Sequence, residues 1–218
     1  MIMTNVEKFN NQNLGEEIAN AVSHGIGVLL SLAGTVILIV AAAQNNSVIG
    51  VVSSSIYGFS LINLFLMSTL YHSFTNKTAK KVFQVLDHCS IFLLILGSYT
   101  PICLALVGGA MGWTLFGVNA FFAVTGIVFN AINVKRWHKI SLVVYILMGW
   151  SVIFVGKPLL SLIPLGGWVL LVGGGLCYSI GILFYKASHP RFMHSVWHVF
   201  VLGGAILHYF FMLFYIIR

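Results

Sequence analysis

Seven stretches of the chain are apolar over nearly the length of a membrane crossing: roughly 20–43, 50–72, 86–107, 112–132, 139–156, 165–186 and 195–217. A bilayer core asks for about 20 such residues per helix. Between them fall short polar or turn-forming segments: "AQNNS", "NKTAKK", "GGAMG", "NVKRWHK", "GKPLLSLIPLGG" and "KASHPR". Barrel strands would instead alternate in segments of about 10 residues. The pattern predicts an all-α, polytopic membrane protein, a seven-transmembrane-helix bundle forming one domain over 1–218. Residues 1–17 are predicted to be a short polar segment ahead of it. The stretch 139–156 is the shortest of the seven. Pro101 falls inside the third and should kink it. Gly173, Gly174, Gly175 and Gly181 in the sixth should let helices approach closely.

Composition agrees with this pattern. Of the 218 residues 59% are hydrophobic and 7% charged, whereas soluble domains carry about 25% charged residues. The formal charge of +7 calls for no nucleic acid, because Lys and Arg crowd the cytoplasmic loops of membrane proteins. With seven crossings, one side receives Lys8, Lys77, Lys80, Lys81, Lys135, Arg136, Lys139, Lys186 and Arg191, and the other Lys157 and Arg218. The expected topology is therefore an N-terminus in the cytoplasm and a C-terminus outside. A six-crossing chain would spoil this asymmetry. Cys89, Cys103 and Cys177 all lie in apolar runs and read as small hydrophobes, not as a disulfide framework. No signal peptide is expected, since the first 17 residues include Glu7, Glu16 and Glu17 and lack a basic start and a small-residue cleavage site. The expected location is a multi-pass position in the cell membrane, with membrane lipids as partners.

Against this apolar background a few polar residues stand out. "HSVWH" places His194 and His198 four residues apart on one helical face at the start of the seventh stretch. "STLYH" ends the second with Ser68 and His72 at the same spacing, and "LDHCS" opens the third with Asp87 and His88. A pair of interfacial histidines can simply hydrogen-bond to neighbours or headgroups. A carboxylate at the start of a helix can simply complement the macrodipole. An ionisable group within a span, however, usually faces the bundle interior, and all three helices bring these residues to one depth on the cytoplasmic side. Three neutral imidazoles with an open fourth position make a recognised catalytic zinc set, and a nearby carboxylate can orient water or take its proton. The candidate metal ligands are His72, His194 and His198, with Asp87 and Ser68 as candidate catalytic residues and Zn2+ as the expected cofactor. His24 starts the first stretch on the same side and could hydrogen-bond near the site. His88 should point about 100° away from Asp87. His208, in mid-span, should hydrogen-bond to another helix, while His138 and His189 in basic loops should be solvated.

These residues, in this order, resemble the progestin and adipoQ receptor family, and in particular its bacterial hemolysin III branch. "EEIANAVSHGIG", "STLYHSF", "LDHCSIFLLILGSYTP" and "HPRFMHSVWHVFVLGGAILHYF" carry the likeness over nearly the whole chain. The resemblance implies a zinc ion held by three histidines near the cytoplasmic face, an Asp in contact with water at the zinc, and a Ser beside the site. It also implies a link to hydrolysis of lipid amides, to membrane-lipid homeostasis and, through the branch name, to lysis of red cells.

Three functions stay open on sequence alone. A zinc-dependent hydrolase of lipid acyl or amide bonds would use Asp87 on the water and Ser68 toward the developing oxyanion. A pore-forming cytolysin should carry polar stripes along several helices, yet beyond the cytoplasmic third these are almost wholly apolar. A membrane-state regulator with structural zinc should show a closed four-ligand site.

Overall fold

The computed structural model describes residues 12–187 and 190–217. Lys8, Glu7, His189 and Arg218, which entered the charge and histidine expectations, lie outside the described residues. All regular elements among the described residues are helical, and six runs are long and apolar enough to cross a membrane. Helices α1 (Leu14–Gln44), α2 (Val48–Ser73), α3 (Lys77–Pro101), α4 (Gly109–Trp150), α5 (Gly156–Leu162), α6 (Leu165–Lys186) and α7 (Met193–Tyr215) follow in order.

Local chemistry sets several of the starts. Asn13 and Glu16 form a reciprocal capping box at α1, Ser47 caps α2 through Gly50 N, and Asn76 caps α3 through Thr78 N and Ala79 N. Two boundaries fall earlier than the apolar pattern predicts. Helix α1 begins at Leu14, so Glu16 and Glu17 belong to the helix and not to a separate polar segment. Helix α3 begins at Lys77, which puts Asp87 ten residues into it. A carboxylate there is beyond the first turn, where the helix macrodipole would favour it.

The predicted gap "NVKRWHK" is not a loop. Helical hydrogen bonding continues on both sides of it, interrupted by the extended backbone of Asn133 (φ −164°, ψ 92°). The run nevertheless doubles back. Asn119 Nδ2 donates to Ser151 Oγ at 2.9 Å, and Ser141 Oγ donates to Asn130 Oδ1 at 2.7 Å. Pairs 32 and 11 residues apart that centre on the same point require two antiparallel arms, since a straight helix would hold Asn119 and Ser151 roughly 48 Å apart. The stretch after the fifth predicted span is also partly ordered. It forms a 3-10 turn over Ser151–Val155 and the short α5.

Departure from α geometry begins where Pro101 predicts it. The chain widens into a π turn, Ile102–Val107, then reverses through Gly108 and Gly109, both at positive φ. The expectation for the glycines of α6 also holds at particular contacts. A methyl at Gly181 would come within 2.7 Å of Trp197, and one at Gly174 would collide with the His208 ring. Helices α6 and α7 pack along this seam, while α1 packs on α2, α2 on α3, and α1 closes the bundle against α7.

The bundle is apolar outside and polar within, the distribution expected where the solvent is lipid. Leu29, Val36, Phe121 and Val169 are exposed, whereas Asn20, Ser53, Ser90, Thr100, Asn119 and Asn130 are buried. Many hydroxyls, such as those of Ser53, Thr69 and Ser98, return a hydrogen bond to the carbonyl one turn back. At one end α1, α3 and α7 begin and α2 and α6 finish. That end carries the candidate site.

Candidate metal centre

Helix α2 presents His72 from its last turn, and α7 presents His194 and His198 from its first two. The start of α7 is held in place by α1. Glu16 Oε1 accepts from Phe192 N at 2.8 Å, supplying a carboxylate to an otherwise uncapped helix N-terminus. The spacing of four on α7 brings the rings of His194 and His198 to 4.8 Å, and His72 lies 5.2 and 5.0 Å from them by ring centroids. Their available ligand atoms fall within 4.8 Å of one another. The three could hold a metal ion, so the predicted ligand set is assembled by helices that are far apart in sequence.

The chemistry of the ring nitrogens suits such an ion. His72 Nδ1 lies 2.8 Å from Glu17 Oε2. A carboxylate only accepts, so Nδ1 carries the proton and Nε2 is left with a bare lone pair. That Nε2 is buried and has no hydrogen-bond partner. His198 Nδ1 is similarly within 3.2 Å of the Asn20 carbonyl, which can only accept, and this again frees Nε2. An imidazole whose far nitrogen is held by a carboxylate or carbonyl is the usual arrangement of a metal-binding histidine.

Glu17 and Asn20 do not stand out in the sequence, yet both shape this group. Glu17 is shared between His72 and Lys80, whose Nζ donates at 2.7 Å. Asn20 accepts from Ser195 Oγ through its side chain at 2.6 Å and receives His198 through its carbonyl. A signal is nonetheless there: Glu17, Asn20 and His24 recur at steps of three and four, one face of α1. His24 reaches the site differently from expectation. Its ring stacks on that of His198, with centroids 3.7 Å apart and planes 11° from parallel, and this face-to-face fit takes the place of a bond at the ring edge.

Asp87 and Ser68 face the same region from α3 and α2. Ser68 is buried, and its hydroxyl and the His72 ring both lie near enough to the Asp87 carboxylate to interact with it electrostatically. Together with the three histidines they line a cavity of about 140 Å³ that continues into the bundle as far as Tyr178 and His208. His88 stays outside the triad. Its Nδ1 donates to Gln84 O at 2.8 Å, and its Nε2 lies 3.4 Å from the Tyr185 hydroxyl. His138, expected to be solvated, is half-buried instead. It lines the cavity, and its Nδ1 is 3.4 Å from the same tyrosine hydroxyl, because the fold-back at Asn133 turns it toward α6. His208 donates through Nε2 to Leu171 O of α6 at 3.0 Å, the interhelical bond predicted for it.

Residues 12–209 match a family model described as "Haemolysin-III related". The chain is 42% identical over 206 residues to Hemolysin-3 of Bacillus cereus, covering 94% of each chain. It is 44% identical over 203 residues to a Hemolysin-3 homolog of Bacillus subtilis (strain 168), covering 93% of this chain and 95% of that one. A more distant similarity, 26% over 205 residues and 89% of this chain against 82% of the other, links it to the human monocyte to macrophage differentiation factor. With a family match across nearly its whole length and six apolar helical runs, this multi-pass cell-membrane chain belongs to the haemolysin-III-related family, the bacterial branch of the progestin and adipoQ receptor family.

Proposed function

We propose that this protein is a zinc-dependent hydrolase of lipid acyl or amide bonds, acting at the cytoplasmic side of the membrane. The observation that carries the reading is the group of buried His72 and His198 with half-buried His194, with a bare Nε2 on His72 and the Asp87 carboxylate on the wall of the same cavity. His72, His194 and His198 would hold the ion. Zinc, when bound, would supply Lewis acidity to an acyl carbonyl and to water.

The remaining roles belong to the chain itself. Glu17 keeps His72 in the tautomer with Nε2 free. Asp87 takes the proton of the attacking water and later returns it to the leaving group, a general acid–base role that needs only one carboxylate in reach. Ser68 lies beside Asp87, and its hydroxyl can turn toward the carbonyl oxygen as charge develops there. The apolar wall of the cavity, including Ile91, Leu94 and Val201, suits a hydrocarbon chain.

This reading includes seven crossings, with the N-terminus in the cytoplasm. The 54-residue run Gly109–Leu162 is long enough for two of them, and its doubling back at Asn133 supports that count. It leaves Lys77, Lys80, Lys81, Lys135, Arg136, Lys139, Lys186 and Arg191 on one side, as positive residues in the cytoplasm require.

The names of the two Bacillus relatives support a second reading, in which the protein lyses membranes. One experiment separates the two. Purified protein in detergent, depleted of metal by a chelator and then reloaded with zinc, is assayed for hydrolysis of ceramide and phospholipid and for dye release from vesicles. Zinc-dependent hydrolysis supports the enzyme. Dye release without hydrolysis, indifferent to the chelator, supports the lytic reading and removes the enzyme.

A further inference from the structure

The cavity has a second polar end. Tyr178 of α6 and His208 of α7 line it, with ring centroids 5.4 Å apart at 68°. His208 lies ten residues beyond His198, about 15 Å along the helix axis, and so deep in the apolar layer. The fold makes room for both rings at the cost of side chains elsewhere. His208 sits where a methyl at Gly174 would be, and Tyr178 is 2.9 Å from where one at Gly204 would be.

The hydrogen bonding of this pair is incomplete. His208 Nε2 donates to the Leu171 carbonyl, so Nδ1 is a bare acceptor, and it is buried without a partner. The Tyr178 hydroxyl is likewise buried without a partner. Buried polar groups are almost always satisfied, and two such groups carried by residues that line one cavity point to something that occupies it. The required chemistry is narrow. His208 Nδ1 needs a donor, and the Tyr178 hydroxyl can give or receive. A ketone, ether or carboxylate cannot donate to Nδ1, whereas a hydroxyl serves both residues.

We propose that Tyr178 and His208 form a second subsite that recognises a hydroxyl carried in mid-chain by the acyl group of the lipid ligand. The inference rests on the reading of the cavity as an acyl-chain site. It goes further by naming a chain modification. An unsubstituted chain reaching this depth would leave both groups unpaired, and a site built to pair with a hydroxyl discriminates against the analogue that lacks it.

The test uses the zinc-loaded full-length protein in detergent and three radiolabelled fatty acids, each an acyl product of the proposed reaction. These are oleate, ricinoleate (oleate with a mid-chain hydroxyl) and an α-hydroxy acid of similar length. Ricinoleate should bind about a hundredfold tighter than oleate, about tenfold for each of the two hydrogen bonds its hydroxyl makes, and the α-hydroxy acid should bind no better than oleate. Tyr178→Phe should cut that preference to about tenfold, the share kept by the bond to His208 Nδ1, while oleate affinity stays unchanged, which also certifies that the variant is folded. Equal binding of oleate and ricinoleate by the wild-type protein overturns the subsite and leaves the acyl-chain reading standing, with water as the occupant of the polar end. An undiminished ricinoleate preference in a Tyr178→Phe protein of unchanged oleate affinity overturns it too. Failure of all three to bind removes the acyl-chain reading itself.

Discussion

Glu17 and His72 are 55 residues apart and come from different helices, yet Oε2 of one lies 2.8 Å from Nδ1 of the other. The contact decides which nitrogen of His72 is available to a metal. It predicts that Glu17→Gln lowers zinc affinity about tenfold and Glu17→Ala nearer a hundredfold, the range found when a carboxylate behind a metal-binding histidine is lost. Competition with a chromogenic zinc chelator measures this directly. Unchanged affinity in both variants would mean that another group orients His72.

The three histidines should be individually indispensable. Replacing His72, His194 or His198 by Ala leaves two imidazoles, too few for a stable zinc site of this kind. Metal analysis of each purified variant should find little of the zinc held by the wild type. Full occupancy in any one of them would strike that residue from the ligand set.

Asp87→Asn should part binding from chemistry. The carboxamide is nearly the same shape and the three imidazoles are untouched, so zinc content should stay close to wild type. An amide oxygen is a far weaker base than a carboxylate, and positioned acid–base help is worth roughly 10²–10⁴-fold. Lipid turnover should fall by that order. A zinc-loaded Asp87→Asn protein of full activity would end the proposed role of Asp87. Loss of zinc with activity would place Asp87 among the groups that hold the ion.

Topology can be read by labelling from outside intact cells. In a background without the native cysteines, a cysteine appended after Arg218 should react with an impermeant maleimide, whereas Thr78→Cys and Lys135→Cys should not. If Gly109–Leu162 crossed only once, the appended cysteine and Thr78→Cys would report the same side. That pattern would refute the seven-crossing proposal.

Packing makes a prediction independent of function. A methyl at Gly126 would run into the Phe92 ring, which is wholly buried. Gly126→Ala should therefore cost about 1–3 kcal/mol through overpacking. At Gly117 nothing lies within 4 Å of an added methyl, so Gly117→Ala should gain up to about 1 kcal/mol from the better helix former. Thermal unfolding in detergent compares the two, and equal midpoints would deny the tight α3–α4 contact.

Much of the site is legible in the sequence because helical spacing is a local property. His194 and His198 share a face by arithmetic alone, and Ser68 and His72 do the same on α2. Asp87 is legible as a carboxylate among apolar residues. Its rank along the helix is not, because "NKTAKK" reads as a loop by composition while Asn76 caps a helix there. Glu17 escapes notice for the same reason. Its charge reads as belonging outside the membrane, and nothing nearby in sequence reveals that His72 and Lys80 wait for it.

The order of residues alone dictates that this chain lives in a membrane as helices, because the cost of burying backbone groups in lipid leaves a run of about 20 apolar residues few other forms. It also determined where an imidazole could meet another one turn away. It takes the folded bundle to show that α2 and α7 meet at those imidazoles, that α1 brings Glu17, Asn20 and His24 to them, and that the chain turns back at Asn133. The reason is physical. Lipid rewards every apolar face alike, so the partner of each helix is chosen by close packing and by a few buried hydrogen bonds. Such bonds join residues tens or hundreds of positions apart, and no periodicity along the chain records them.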